Sequence, residues 1–135
     1  VEVIFGKNIK TIGDDAFNGC ISIASITFKG DVTSIGKRAF YSCDSLSSVD
    51  IAGSVKVVGR DAFRSCYNLT DVTLRPGVEK LDHYAFAYTG LIEILIPKSV
   101  TYLGYAAFYD REGLEVIFEE GINTKNFDSE WNYGL

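Results

Sequence analysis

One phrase returns three times in the chain, as IGDDAFNGC from Ile12, IGKRAFYSC from Ile35 and VGRDAFRSC from Val58. Its Ala-Phe pair occurs five times, and successive phenylalanines are separated by 23, 23, 23 and 22 residues. These phenylalanines are Phe17, Phe40, Phe63, Phe86 and Phe108. A fixed period of this length is typical of solenoids, in which similar coils stack along one axis.

Between the Ala-Phe pairs, apolar and polar residues alternate with the period of a β-strand. The apolar members are Ile26 and Phe28, Val49 and Ile51, Val72 and Leu74, and Ile94 and Ile96. A unit of this size cannot bury its own apolar side, so neighbouring coils must share one core. We therefore predict a parallel sheet with these residues facing inward, and a stacked spine of phenylalanines on the opposite wall.

The segments around each Ala-Phe pair are too short to form a stable isolated helix. We predict short helical or 3₁₀ turns there, held by packing. The glycine that opens these segments is expected either to have a positive φ or to lie against the next coil. These glycines are Gly13, Gly36, Gly59 and Gly104. Asp82 replaces glycine in one coil, and aspartate tolerates the left-handed region better than most residues.

The pattern seen best in IPKSVTYLGYAAF from Ile96 resembles the BspA-like leucine-rich repeat, also called the Treponema pallidum type. The resemblance implies an α/β, right-handed leucine-rich-repeat solenoid of about five coils of 22–23 residues. Its parallel sheet would line the concave side, with the short helical turns opposite. Residues 1–121 would form the solenoid, and residues 122–135, which leave the repeat, would cap its C-terminal end with Trp131.

Three cysteines recur at equal spacing and so fall in one column of the stack: Cys20, Cys43 and Cys66. We predict buried free thiols that act as small apolar residues. A disulfide between adjacent coils and a zinc site are the alternatives, disfavoured by the odd number of thiols and the lack of a fourth ligand. His83 is expected to be exposed, because the residue type at its repeat position changes from coil to coil. A catalytic role is disfavoured, since no serine or cysteine lies in a matching column. We therefore predict no catalytic site, no metal site and no cofactor.

Two surfaces are candidates for binding. The first is the outward face of the sheet, predicted to be concave, with Ser25, Thr27, Ser48, Asp50, Asp71, Thr73, Glu93 and Leu95. The second is an aromatic patch in the last two coils, with Tyr84, Tyr88, Tyr102, Tyr105 and Tyr109. Tyrosine provides a large contact area at a low cost in conformational entropy, which favours its use in recognition of proteins.

The formal charge of −5 argues against a nucleic-acid partner, and no apolar run is long enough to insert into a membrane. The family resemblance implies a non-catalytic protein-recognition module of a surface or secreted protein, with an extracellular protein ligand and a role in adhesion to host or other cells. A structural spacer and a carbohydrate-binding module are the alternatives. The chain begins within a repeat unit at Val1, so we expect the natural protein to continue upstream. The open edge strand there would permit weak self-association.

Overall fold

The computed structural model describes residues 1–135 as a stack of parallel coils without any helix. Each complete coil contributes one strand of four residues and one of two residues. The longer strands are β1 (Glu2–Phe5), β3 (Ser25–Phe28), β5 (Ser48–Ile51), β7 (Asp71–Leu74), β9 (Glu93–Ile96) and β11 (Glu115–Phe118). The shorter strands are β2 (Thr11–Ile12), β4 (Ser34–Ile35), β6 (Val57–Val58), β8 (Lys80–Leu81) and β10 (Tyr102–Leu103).

The shorter strands form one continuous five-stranded parallel sheet in the order β10-β8-β6-β4-β2, which the sequence reasoning did not predict. Their pairing places one aliphatic residue of each coil directly beside the next, as in Ile12 with Ile35 and Ile35 with Val58. All the aliphatic residues of this column are buried. The second sheet therefore closes the core on a side where only a connection was expected.

The longer strands bury the predicted apolar residues except Phe28, which is half-buried, but they do not form one sheet. They form three separate hydrogen-bonded pairs, β1 with β3, β5 with β7, and β9 with β11. Between β7 and β9 one donor of the ladder is absent. Arg75, which follows β7, donates its N–H to the Ile51 carbonyl oxygen at 3.1 Å, whereas Pro97 at the equivalent position after β9 has no N–H. The turn at Gly90 is also one residue shorter than the equivalent turn in the preceding coils.

The prediction of helical or 3₁₀ turns, and with it the α/β class, is wrong. Two positions in every coil have a positive φ: the residue before alanine, and the second residue after phenylalanine. They are occupied by Asp15, Arg38, Asp61, Tyr84 and Ala106, and by Gly19, Ser42, Ser65, Tyr88 and Asp110. Left-handed residues four apart interrupt a right-handed helix. The freed N–H groups donate to the next coil instead, as Phe40 does to Ala62 at 2.8 Å.

The predicted phenylalanine spine is confirmed. Successive rings from Phe17 to Phe86 stack at centroid distances of 5.2, 5.2 and 5.3 Å, with interplanar angles of 3°, 8° and 0°. Phe108 continues the stack at 6.0 Å from Phe86. All the rings except the half-buried Phe17 are completely buried. The spine is thus a continuous apolar element shared by all the coils.

The repeated glycines do not have a positive φ, and three of the four lie against the neighbouring coil, so the second of the two predicted roles is confirmed for all but Gly13. A Cβ atom at Gly59 would lie 2.8 Å from the Ile35 carbonyl oxygen. Gly36 and Gly104 have similar close contacts with backbone atoms of the preceding coil. The interpretation of Asp82 as left-handed is wrong, since its φ is not positive.

The segment after Gly121 lies across the last coil. Its carbonyl oxygens at Glu130 and Trp131 accept hydrogen bonds from the N–H groups of Ala106 and Ala107, at 2.9 and 3.1 Å. The indole of Trp131 packs edge-on against Phe108, with a centroid distance of 6.5 Å. These contacts resemble those that a further coil makes elsewhere in the stack. No segment forms a helix of the length and apolarity needed to cross a membrane.

Candidate binding surfaces

The first surface is the outward side of the longer strands, which we call the long-strand face. Its twelve residues are Glu2, Ile4, Ser25, Thr27, Ser48, Asp50, Asp71, Thr73, Glu93, Leu95, Glu115 and Ile117, and all of them are exposed or half-exposed. All eight predicted residues of the sheet surface lie on this face. Sequence reasoning missed the four contributed by β1 and β11. The alternation of Val116 and Phe118, in register with Ile94 and Ile96, could have revealed the sixth long strand.

The carboxylates on the N-terminal part of this face have hydrogen-bond partners within the chain. The Arg75 guanidinium donates two hydrogen bonds to the Asp50 carboxylate, at 2.9 and 2.6 Å. These hydrogen bonds hold the pKa of Asp50 below its usual range. Thr27 donates from its hydroxyl to a carboxylate oxygen of Glu2 at 2.8 Å. Beside the Asp50–Arg75 pair, a cleft of about 420 Å³ separates β3 from β5.

The C-terminal part of the face combines unpaired acids with exposed aliphatic side chains. Asp71, Glu93 and Glu115 take part in none of the ion pairs of the structure. Leu95 and Ile117 are paired by the β9–β11 register, and their side chains point outward beside these acids. A cleft of about 250 Å³ lies between β7 and β9, where the hydrogen-bond ladder is interrupted.

The second surface is a cluster on the turn wall, which we call the tyrosine–arginine cluster. Four of the five predicted tyrosines are in contact there, and the structure adds two residues that sequence reasoning missed. The cluster contains Arg64, Tyr84, Tyr88, Tyr105, Tyr109 and Tyr133. The fifth predicted residue, Tyr102, lies on a short strand and contacts His83 and Lys80 instead.

Arg64 packs against tyrosine rings at one end of the cluster, and Tyr133 does so at the other end. The Arg64 guanidinium lies 5.0 Å from the ring centroid of Tyr84 and 5.3 Å from that of Tyr88, within the range of cation–π attraction. Tyr133 stacks on Tyr105 and Tyr109 at 5.6 and 5.5 Å. The pKa of Tyr105 is raised by desolvation and by its tyrosine neighbours. The cluster is therefore a packed layer of rings with limited freedom.

The small side chain of Ala87 is the signal in the sequence that could have indicated that Arg64 belongs to the tyrosine–arginine cluster. Arg64, Ala87 and Tyr109 occupy the same repeat position in three successive coils. The small residue between the two large ones leaves room on the turn wall, which tyrosines from adjacent columns fill. Tyr133 lies outside the repeat, so its column could not be read from the period.

The cysteine column is part of the scaffold, and the prediction of free thiols is confirmed. The Cys43 and Cys66 thiols are buried and donate to the carbonyl oxygens of Phe17 and Phe40, at 3.3 and 3.1 Å. The adjacent Cys43 sulfur, together with burial, raises the pKa of the Cys66 thiol. Cys20 is half-buried at the end of the column. No group of three His, Cys, Asp or Glu side chains is arranged to hold a metal ion.

His83 supports the backbone of the following coil. Its Nδ1 atom accepts a hydrogen bond from the Tyr105 N–H at 2.9 Å. Asp14 accepts the Lys37 N–H at 2.8 Å in the equivalent place, so this repeat position has the same role in both coils. The His83 ring is partly exposed, and its Nε2 atom lies 3.7 Å from Asp82. These contacts assign His83 a structural role in joining adjacent coils.

Stacked parallel coils with a 23-residue period, a buried aromatic spine and an exposed strand face define a leucine-rich-repeat β-solenoid. The BspA-type leucine-rich repeat region matches residues 1–115 in six copies, and the chain belongs to that family. Members of this family are generally non-enzymatic repeat proteins that mediate protein interactions. No curated protein is significantly similar to the chain.

Solved structures of leucine-rich-repeat proteins are similar to this chain. The pneumococcal vaccine antigen PcpA is 28% identical with a TM-score of 0.78, over 89% of this chain and 31% of the antigen. A leucine-rich repeat protein from Bacteroides ovatus is 31% identical with a TM-score of 0.79, over 88% of this chain and 33% of that one. A leucine-rich cell surface protein from Faecalibacterium prausnitzii is 26% identical with a TM-score of 0.70, over 90% and 39%. The chain thus spans about a third of the length of these relatives.

Proposed function

We propose that this chain is a non-catalytic recognition module of a surface or secreted protein, and that it binds another protein in adhesion to host or other cells. One observation carries the proposal: the long-strand face presents exposed side chains from strands whose inward residues are buried or half-buried. The inward residues that stabilise the fold are thus different from the outward residues that are available to contact a partner. A rigid scaffold with variable outward positions is what repeat proteins use for binding.

The relatives support an extracellular location. One similar structure is a vaccine antigen and another is a cell surface protein, and both share the fold over most of this chain. The cell surface protein shows that the fold is compatible with exposure at a surface. We infer the same location for the protein that contains this chain.

The tyrosine–arginine cluster is a second candidate surface for the same function. Tyrosine and arginine are enriched among the residues that contribute most to protein–protein binding. The Arg64 guanidinium lies over the rings of Tyr84 and Tyr88, and the rings of Tyr105 and Tyr109 stack on Tyr133, so these flat sides are already in contact within the chain. Sugar rings stack on the flat sides of aromatic residues, so this arrangement favours a protein ligand over a carbohydrate.

Binding to purified extracellular-matrix proteins and to cultured epithelial cells tests the proposal. We expect the doubly substituted variant Thr73→Ala/Leu95→Ser to lose binding, because both side chains lie on the long-strand face. The control Ile9→Ser removes an exposed aliphatic side chain elsewhere. Loss of binding with Tyr133→Ala alone would move the site to the tyrosine–arginine cluster. Binding to nothing in the panel would favour a structural spacer, and binding that none of the variants changes would show that neither surface is the site.

A further inference from the structure

The C-terminal part of the long-strand face contains two exposed aliphatic side chains bordered by acids. Leu95 and Ile117 are 55% and 36% exposed. Asp71, Glu93 and Glu115 occupy the neighbouring column of β7, β9 and β11. We call these five residues the acidic–apolar patch. Adjacent exposed aliphatic side chains rimmed by polar residues mark a candidate interaction site.

The carboxylates of the patch lack any counter-charge within the chain. Glu93 lies directly opposite Glu115 in the parallel register, and like charges in this position repel each other. The guanidinium of Arg75, on the same face, is already bound by Asp50. The acids therefore project an uncompensated negative potential beside the aliphatic side chains, and a partner of opposite charge would relieve the repulsion.

The gap between β7 and β9 adds a cleft to the patch. The cleft of about 250 Å³ is lined by backbone and side chains of both strands, including Thr73, Glu93 and Leu95. Along each strand the acidic and aliphatic columns are two residues apart, a distance of about 7 Å. A ligand that lies across the strands thus meets a charged row on one side and an aliphatic row on the other, and it crosses the cleft where it passes from β7 to β9.

We propose that the acidic–apolar patch binds a cationic, amphipathic segment of a protein partner, with lysine or arginine along one side and aliphatic side chains along the other. This inference rests on the proposed function and specifies the chemistry of the ligand. The cations pair with Asp71, Glu93 and Glu115, while the aliphatic side chains cover Leu95 and Ile117. Charge steers the encounter, and the buried aliphatic contact slows dissociation.

Three synthetic peptides test the proposal by fluorescence anisotropy: an amphipathic lysine–leucine peptide, a version with glutamine in place of lysine, and a version with serine in place of leucine. We expect only the lysine–leucine peptide to bind strongly. The variant Asp71→Asn/Glu93→Gln/Glu115→Gln should weaken its binding about tenfold. Leu95→Ser should weaken it by a similar factor. Thermal melting of each variant checks that the fold is retained.

A matched control removes the same number of charges outside the long-strand face, with Asp31→Asn/Asp44→Asn/Glu79→Gln. We expect this variant to bind the lysine–leucine peptide as the original chain does. Equal weakening in the control, or equal binding of the lysine–serine peptide, would mean that only net charge acts and would overturn the proposal. So would lysine–leucine binding that is insensitive to the patch variants.

The outcome separates this inference from the proposed function. If a matrix protein or cell binds through Leu95 but is insensitive to the loss of the three acids, the recognition module stands and the cationic ligand is wrong. If the lysine–leucine peptide binds through the patch while the whole panel is negative, the chemistry of the patch stands and the adhesion role is wrong.

Discussion

A residue's place in the 23-residue period largely decides its burial. Phe40, Phe63 and Phe86 are completely buried at one position, whereas Tyr67 at another is mostly exposed. The reason is that each position meets the same position of the coils on either side, at about 4.8 Å. A side chain inside the stack is thus covered twice, once from each direction. At the end of the column the half-buried Phe17 has a neighbouring phenylalanine of its column on one side only.

Thiol reactivity tests whether burial in the cysteine column also follows the position of each coil in the stack. We expect iodoacetamide to label Cys20 in the native protein, because that thiol is half-buried. Cys43 and Cys66 should react only after unfolding, since burial excludes the reagent and the pKa of Cys66 is raised. Mass spectrometry of the labelled protein with and without guanidinium chloride measures this. Rapid native labelling of Cys66 would contradict a purely structural role.

The period predicted the core residues but only part of the binding surfaces. Inward residues such as Val49 and Ile51 are found where alternation placed them, since burial depends on position in the repeat. The tyrosine cluster depends instead on how long side chains lean between columns. Tyr102 therefore proved to be separate from it, and Arg64 proved to belong to it. A repeat gives the position of a Cβ atom more reliably than that of a hydroxyl or guanidinium group.

At the scale of secondary structure, hydrogen bonds between coils determine the conformation of the turn wall. Residues on this wall such as Phe17, Phe40 and Phe63 donate their N–H groups to the following coil. A helix would use the same donors within its own turn, so the two arrangements compete. Sequence reasoning predicted helical turns because it considered one unit at a time. The left-handed residues that align these donors, such as Arg38 and Tyr84, have no distinctive residue type.

Only one of two glycines at the same repeat position lies close to the neighbouring coil. Replacing them by alanine should therefore lower the free energy of unfolding by different amounts. Gly59→Ala would place a Cβ atom 2.8 Å from the Ile35 carbonyl oxygen, so adjacent coils would have to separate. We expect a loss of about 2 kcal/mol in the free energy of unfolding, as for other overpacked sites. The matched control is Gly13→Ala, which meets nothing within 4 Å. Urea titration measures both variants, and an equal loss in the two would contradict the close-contact explanation.

At the scale of the whole molecule, the fold is a one-dimensional stack in which each coil contacts mainly its neighbours. Stability in such a stack is close to a sum of coil and interface contributions, so a terminal coil can open while the others remain folded. The last coil is covered by the segment after Gly121, which contributes Trp131 and two backbone acceptors. We therefore propose that residues 122–135 act as a C-terminal cap.

Hydrogen exchange of the variant Trp131→Ala tests the cap. We expect a loss of about 2 kcal/mol, below the range for fully buried aromatic residues because the indole is half-buried. The amides of Ala106 and Ala107, which donate to this segment, should lose protection first, while those of Phe40 and Phe63 should change little. Trp131→Phe keeps an aromatic ring there and should lose less. Equal deprotection of all coils would show that the stack opens as one unit, and unchanged exchange at Ala106 would show that the segment does not cover the last coil.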